Sequence, residues 1–90
     1  MKAIEFINLG IVPETKVRVK HATHAGSTDT NTTDCYFMGY WKLGSGSIIT
    51  SLDWDIMPHF HEIGKNGRPG KKEVLMFINF QRIVSIEPID

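Results

Sequence analysis

A single cysteine, Cys35, stands in the whole 90-residue chain, so no disulfide can form within it. Small secreted domains normally rely on such staples, which points this chain to a reducing compartment. Charge of one sign is not in excess either, because ten basic residues balance ten acidic ones. That excludes coating of nucleic acid by bulk charge, although a local patch can still bind it. No apolar run approaches the roughly 20 residues of a membrane span. The stretch from Met1 to Asn8 is interrupted by Glu5 and lacks a small-residue cleavage site, so it does not read as a signal peptide. The expectation is a soluble, cytoplasmic protein with no membrane partner. Also missing are a Gly-x-Ser-x-Gly elbow, a phosphate loop and any local signature of a nucleophilic cysteine around Cys35. The chain is therefore expected not to be an enzyme, to have no catalytic residues and to carry no cofactor.

What is present suffices for one domain over residues 1–90. The apolar share is 41%, enough for a single core, though a chain this short buries only about 60–65% of its unfolded surface. Lys2 to Leu9 reads as a short helix ended by Gly10, with a short strand as the alternative. Thr15 to Ala22 alternates: Val17 and Val19 point one way, Lys16, Arg18 and Lys20 the other. The small polar stretch 23–34 reads as a long flexible loop. Cys35 to Leu43 is a second strand rich in aromatics, with Gly39 marking a bulge or bend. Ser47 to Ile56 alternates again, and Pro58 to Ile63 is either its extension or a loop. Gly64 to Lys72 is a turn-rich hairpin loop bearing Lys65, Arg68, Lys71 and Lys72 and no acid. The chain closes with two strands, Val74–Asn79 and Ile83–Ile89, around a corner at Phe80-Gln81-Arg82. Every position from Val74 to Ile78 is apolar, so a strand there needs cover on both faces.

These elements predict an all-β fold, a small five-stranded antiparallel barrel or roll. Val12-Pro13 ahead of Val17-Arg18-Val19 resembles the approach to the first strand in the Sm-like small β-barrels. Ile78-Asn79-Phe80-Gln81-Arg82-Ile83-Val84-Ser85-Ile86 is similar to that family's fourth strand, one-turn corner and fifth strand. The resemblance implies an N-terminal helix, five strands, and rings built by pairing the fourth and fifth strands of neighbours. Such pairing would cover the second face of Val74–Ile78 and predicts a homo-oligomer. Two departures limit the inference. The family's RNA binders usually carry an Asp-to-Asn pattern after the second strand and an Arg-Gly-Asp/Asn-type corner. Gly46-Ser47-Ile48-Ile49-Thr50 and Asn79-Phe80-Gln81-Arg82 reproduce neither. Only Asn79 and Arg82, which occupy the corner, are carried over as ligand candidates.

Candidate chemistry is sparse. All four histidines lie in two pairs, His21 with His24 and His59 with His61. On a strand His59 and His61 share a face and could present two imidazoles to one metal, with Cys35, Asp53 or Asp55 completing a set. The spacing matches no standard zinc site, so no tightly bound metal is expected. Asp53 and Asp55 share a strand face and read as partners of Lys16, Arg18 and Lys20. Tyr36 and Tyr40 share a face and are candidates for an exposed contact surface, while Trp54 belongs to the core. The basic loop, through Lys65, Arg68, Lys71 and Lys72, can meet an anionic ligand such as nucleic acid or a nucleotide. The reading is a non-catalytic binding module that presents a surface to a protein or an anionic partner, as a homo-oligomer. The alternatives are an Sm-like binder of nucleic acid or nucleotide, and a small metal-binding protein or enzyme built on the histidine pairs.

Overall fold

The computed structural model describes residues 1–42 and 56–89. A helix, α1 (Ala3–Asn8), precedes β1 (Thr15–Ala22), β2 (Thr30–Lys42), β3 (Ile56–Ile63) and β4 (Pro69–Val74). One turn of 3-10 helix, Phe80–Arg82, then leads into β5 (Ile83–Pro88). The strands form one antiparallel sheet in the order β4-β3-β2-β1-β5. The all-β class is as expected. Among the described residues the sheet is open, with β4 at one edge and β5 at the other. No helix among them is long and apolar enough to cross a membrane.

Of the two readings for residues 2–9, the helix is the one adopted. Six residues are too few to hold a helix alone, so docking must stabilise it. Phe6 and Ala3 are fully buried, and the Lys2 N–H donates to the Glu5 carboxylate at 2.9 Å, satisfying one free amide of the first turn. Phe6 meets Phe37 at a ring-centroid distance of 5.4 Å and Phe80 at 5.3 Å. Phe37 in turn meets Phe60 at 5.9 Å. Tilted and edge-on pairs of this kind contribute about 0.5–1.5 kcal/mol each beyond the area they bury. Val17, Val19, Cys35, Ile78, Ile83 and Ile86 complete the core around them. Val17 and Val19 face inward and Arg18 and Lys20 outward, as the alternation requires.

Two boundaries differ from the sequence reading, and one of its open alternatives is decided. The polar loop is shorter than 23–34, because β2 begins at Thr30. Residues Thr30–Thr33 pair in register with β1, Thr33 opposite Val19 and Thr30 opposite Ala22. Threonine's branched side chain suits a pleated surface even where it is exposed. Pro58–Ile63 is strand, not loop. The largest correction concerns Val74–Asn79, which is not a strand beyond its first residue. The fourth strand lies upstream, over residues assigned to the basic loop, and the turn itself shrinks to 64–68. Leu75 and Phe77 adopt φ of 52° and 57°, left-handed values that a strand cannot contain. The apolar run therefore divides its side chains: Ile78 is fully buried, whereas Met76 and Phe77 are 58% and 70% exposed. The strand read at Ser47–Ile56, with Asp53, Trp54 and Asp55, lies outside the described residues except for Ile56.

Gly39 is the bulge that the sequence suggested. The β2–β3 register slips between Phe37 and Gly39, and Gly39 has φ +112°, which an L side chain adopts only under strain. A Cβ at Gly39 would meet nothing closer than Pro13 Cγ at 3.8 Å, so crowding is not the obstacle. Gly39→Ala is expected to lower unfolding free energy by about 1–3 kcal/mol, the cost of a strained backbone conformation. Urea denaturation checks this, with the midpoint falling and the slope unchanged.

Candidate functional site

The outer face of β3 and β4 carries the densest polar chemistry among the described residues. Phe60 points into the core, so its neighbours His59 and His61 point the other way, as strand alternation dictates. His61 stands opposite Glu73 of β4 and opposite Tyr36 of β2. The His59 and His61 Nε2 atoms are 3.2 Å apart, and His59 Nε2 is 3.4 Å from Glu73 Oε1. His61 Nδ1 lies 2.6 Å from the Gly70 carbonyl oxygen, so that nitrogen carries the proton and donates. The Trp41 indole lies against the His59 ring at 4.3 Å between centroids, tilted 37°, and limits its rotation. The absence of a side chain at Gly70 leaves room for Glu62, whose Cγ would lie 2.5 Å from a Cβ there. The Glu62 carboxylate lies over that glycine and accepts the Lys72 N–H at 3.2 Å. The three side chains are half-buried.

The sequence reading brought His59 and His61 to one face and missed Glu73. With the fourth strand placed from Val74 onward, Glu73 preceded it and had no cross-strand partner. A hairpin closing at Gly64–Arg68 would have set Glu73 beside His61. Asp53 and Asp55 lie outside the described residues, and the other proposed ligands do not join this cluster. Cys35 is fully buried in the core. His21 is buried with both ring nitrogens engaged, Nδ1 at 3.1 Å from the Ala22 carbonyl and Nε2 at 2.9 Å from Thr33 Oγ1. His24 is exposed beside Thr23.

The corner after β4 is held from two sides. Asn79 Oδ1 accepts the Arg82 N–H at 3.2 Å, capping the 3-10 turn. The Arg82 guanidinium donates to the Ala22 and Thr23 carbonyls at 3.0 and 3.1 Å, tying the corner to the end of β1. Its Nε is buried without a partner among the described residues. A cleft of about 340 Å³ opens here, lined by Asn79, Gln81 and Arg82 on one side and Ala22, Ala25, Gly26 and Ser27 on the other.

Lys65 and Arg68 are exposed in the turn, Lys71 and Lys72 on β4. The Gly64 N–H donates to the Arg68 carbonyl at 2.7 Å, and the Gly67 N–H to that of Gly64 at 2.9 Å. The Tyr36 hydroxyl donates to the Gly67 carbonyl and anchors the turn against the sheet. Tyr36 and Tyr40 do not share a face, contrary to the sequence reading. The Gly39 bulge inserts a residue between them, so Tyr40 joins Phe37 at 5.2 Å and Phe6 at 5.9 Å. Tyr36 is buried beneath the hairpin, with Lys16 Nζ 5.8 Å from its ring centre. The basic stripe of β1 finds its acid next door. Arg18 grips Asp34 with Nε–Oδ1 at 2.9 Å and NH2–Oδ2 at 3.1 Å. That fork of hydrogen bonds holds the Asp34 carboxyl below its ordinary value.

Comparison with protein-family models, curated proteins and solved structures finds no match to this chain. The geometry of its own side chains is what bears on function. One chemistry is already disfavoured by it. Burial pushes the Cys35 thiol up to about 12, whereas a nucleophilic cysteine needs its thiolate near neutral pH. Cys35 is expected to resist thiol reagents at pH 8 in the native state and to react at once in denaturant. Rapid labelling of the folded protein would contradict the burial.

Proposed function

We propose that this chain is a non-catalytic binding module of Sm-like kind, which assembles with copies of itself and offers its basic hairpin to an anionic partner. The observation that carries this reading is that, among the described residues, the sheet is open. Unpaired strand edges invite pairing with another chain unless they are blunted or covered. β4 and β5 are six residues each, so one copy's β4 can pair along its length with the next copy's β5. Apolar side chains flank both edges: Met76 and Phe77 follow β4, and Val84 on β5 is 51% exposed. Lys71 and Lys72 oppose the pairing of two β4 edges, while Glu87 on β5 attracts them. Charge thus favours a head-to-tail arrangement, which forms a ring where its rotation closes. The short helix, the antiparallel strands and the one-turn corner before β5 support the Sm-like reading. The intermolecular strand expected at Val74–Ile78 is replaced in this scheme by Pro69–Val74.

An assembly of this kind repeats Lys65, Arg68, Lys71 and Lys72 around its axis, which multiplies weak interactions. Arg82 and Asn79, at the cleft beside the corner, are the remaining candidates for an anionic group. The reading requires no chemistry from the protein.

Light scattering at micromolar concentration is expected to give a multiple of the chain mass. A Phe77→Lys/Val84→Lys variant is expected to give the monomer with an unchanged circular dichroism spectrum. A monomeric parent overturns the assembly.

Binding of a labelled single-stranded oligonucleotide is expected to weaken as salt rises. Replacing Arg68, Lys71 and Lys72 with Ala should weaken it further and flatten the logarithmic salt slope by about 0.7 for each phosphate that is no longer neutralised. The melting temperature should hardly move, since exposed charges contribute little to stability. If the triple variant binds as well as the parent, the anionic-partner reading fails and the assembly reading stands alone.

A further inference from the structure

We infer that His59, His61 and Glu73 form a binding site for a divalent transition-metal ion of the zinc class, with three protein ligands and a fourth position open to solvent. Histidine spacing alone argued against a metal. The register of the β3–β4 hairpin changes that by adding the carboxylate of Glu73. The ligand atoms of the three side chains all lie within 4.8 Å of one another.

The distances carry the inference. Ligand atoms about 2.0–2.1 Å from a tetrahedral zinc ion stand about 3.3 Å from each other. The pair of Nε2 atoms is separated by 3.2 Å, and His59 Nε2 from Glu73 Oε1 by 3.4 Å. Two edges of a tetrahedral ligand set are thus already drawn. The second observation is the support behind the ligands. A metal-bound imidazole nearly always donates its other N–H to a carbonyl or carboxylate, which fixes the tautomer and aims the free lone pair at the ion. His61 does this: Nδ1 faces the Gly70 carbonyl at 2.6 Å, leaving the Nε2 lone pair turned toward His59. His59 is held by the face of Trp41.

The donor set selects the ion. Two imidazoles and one carboxylate suit zinc and its neighbours in the first transition row, whereas magnesium and calcium prefer all-oxygen shells. Half-burial of the three side chains leaves room for a water or an external ligand in the fourth position, as in zinc sites that exchange ligands rather than closed structural ones. Because Glu73 lies on the edge strand and the histidines on β3, the ion would clamp β4 to the body of the sheet. Without an ion, the same geometry is a hydrogen-bonded cluster in which one proton lies between the two Nε2 atoms, with Glu73 nearby.

The experiment uses untagged full-length chain, stripped by dialysis against a chelator and returned to buffer. Titration with Zn²⁺ by calorimetry is expected to show one site per chain. Co²⁺ is expected to give the intense visible bands of a four-coordinate ion and to be displaced by Zn²⁺. Glu73→Gln, which keeps the side chain's size, should weaken Zn²⁺ by at least the roughly 10–100-fold that loss of an outer-shell partner costs. His59→Ala/His61→Ala should abolish binding. Circular dichroism checks that each variant is folded, and if the double variant is not, Glu73→Gln alone decides. No stoichiometric zinc in the parent, a weak octahedral cobalt spectrum, or parent-like zinc affinity in Glu73→Gln overturns the site and leaves the hydrogen-bonded cluster.

Discussion

The extra residue that Gly39 places in β2 decides which chemistry faces which way. A strand without it would alternate, putting Tyr36 with Tyr40 and parting Phe37 from Tyr40. With the bulge, Phe37 and Tyr40 meet on the side of Phe6 and Phe80. Tyr36 turns to the opposite side, where it anchors the β3–β4 turn through the Gly67 carbonyl. One side of the sheet thereby becomes an aromatic core capped by α1 and the corner. The other gathers Tyr36, His59, His61 and Glu73. The backbone conformation this needs, φ +112°, is one that glycine adopts without a steric penalty.

Packing and polar chemistry are therefore separated by the sheet. The core side is apolar and closely filled, with Cys35 held inside it as a small hydrophobe. The outer side is built on strands, which position side chains more tightly than loops do. The corner serves both sides. Phe80 enters the core, while Arg82 ties the end of β1 to the start of β5 through two carbonyls. An arginine bonded in this way is partly committed to structure, so Lys65, Arg68, Lys71 and Lys72 are the freer charges for a partner.

Among the described residues β4 and β5 lie at the edges of the sheet, and they link fold to proposed assembly. β4 is held through its ladder with β3, and the cluster of His59, His61 and Glu73 spans that same pair of strands. An ion bound there would order the edge on which the lysines sit. Assembly and metal binding remain separable, because one depends on Phe77 and Val84 and the other on Glu73.

Much of the fold was legible in the chain because burial leaves a periodic mark. Val17 and Val19 alternate with charges, the N-terminal apolar cluster ends at Gly10, and a glycine interrupts an aromatic strand. Each of these reflects local sterics or a single face in contact with water. The run Val74–Ile78 misled because hydrophobicity reports which side chains need cover but not the sign of φ. Left-handed Leu75 and Phe77 break the strand, and the pairing moves to Pro69–Val74, whose lysines and glycine resemble a loop. Glu73 was invisible as a site residue for the same reason, since its neighbour is set by hairpin register and not by spacing. The sequence alone determined an all-β domain, its first strand, its bulge and its one-turn corner, all governed by interactions a few residues long. Only the tertiary structure decided which strand lies at the edge and which carboxylate meets the histidines, because cross-strand register depends on packing the whole sheet at once.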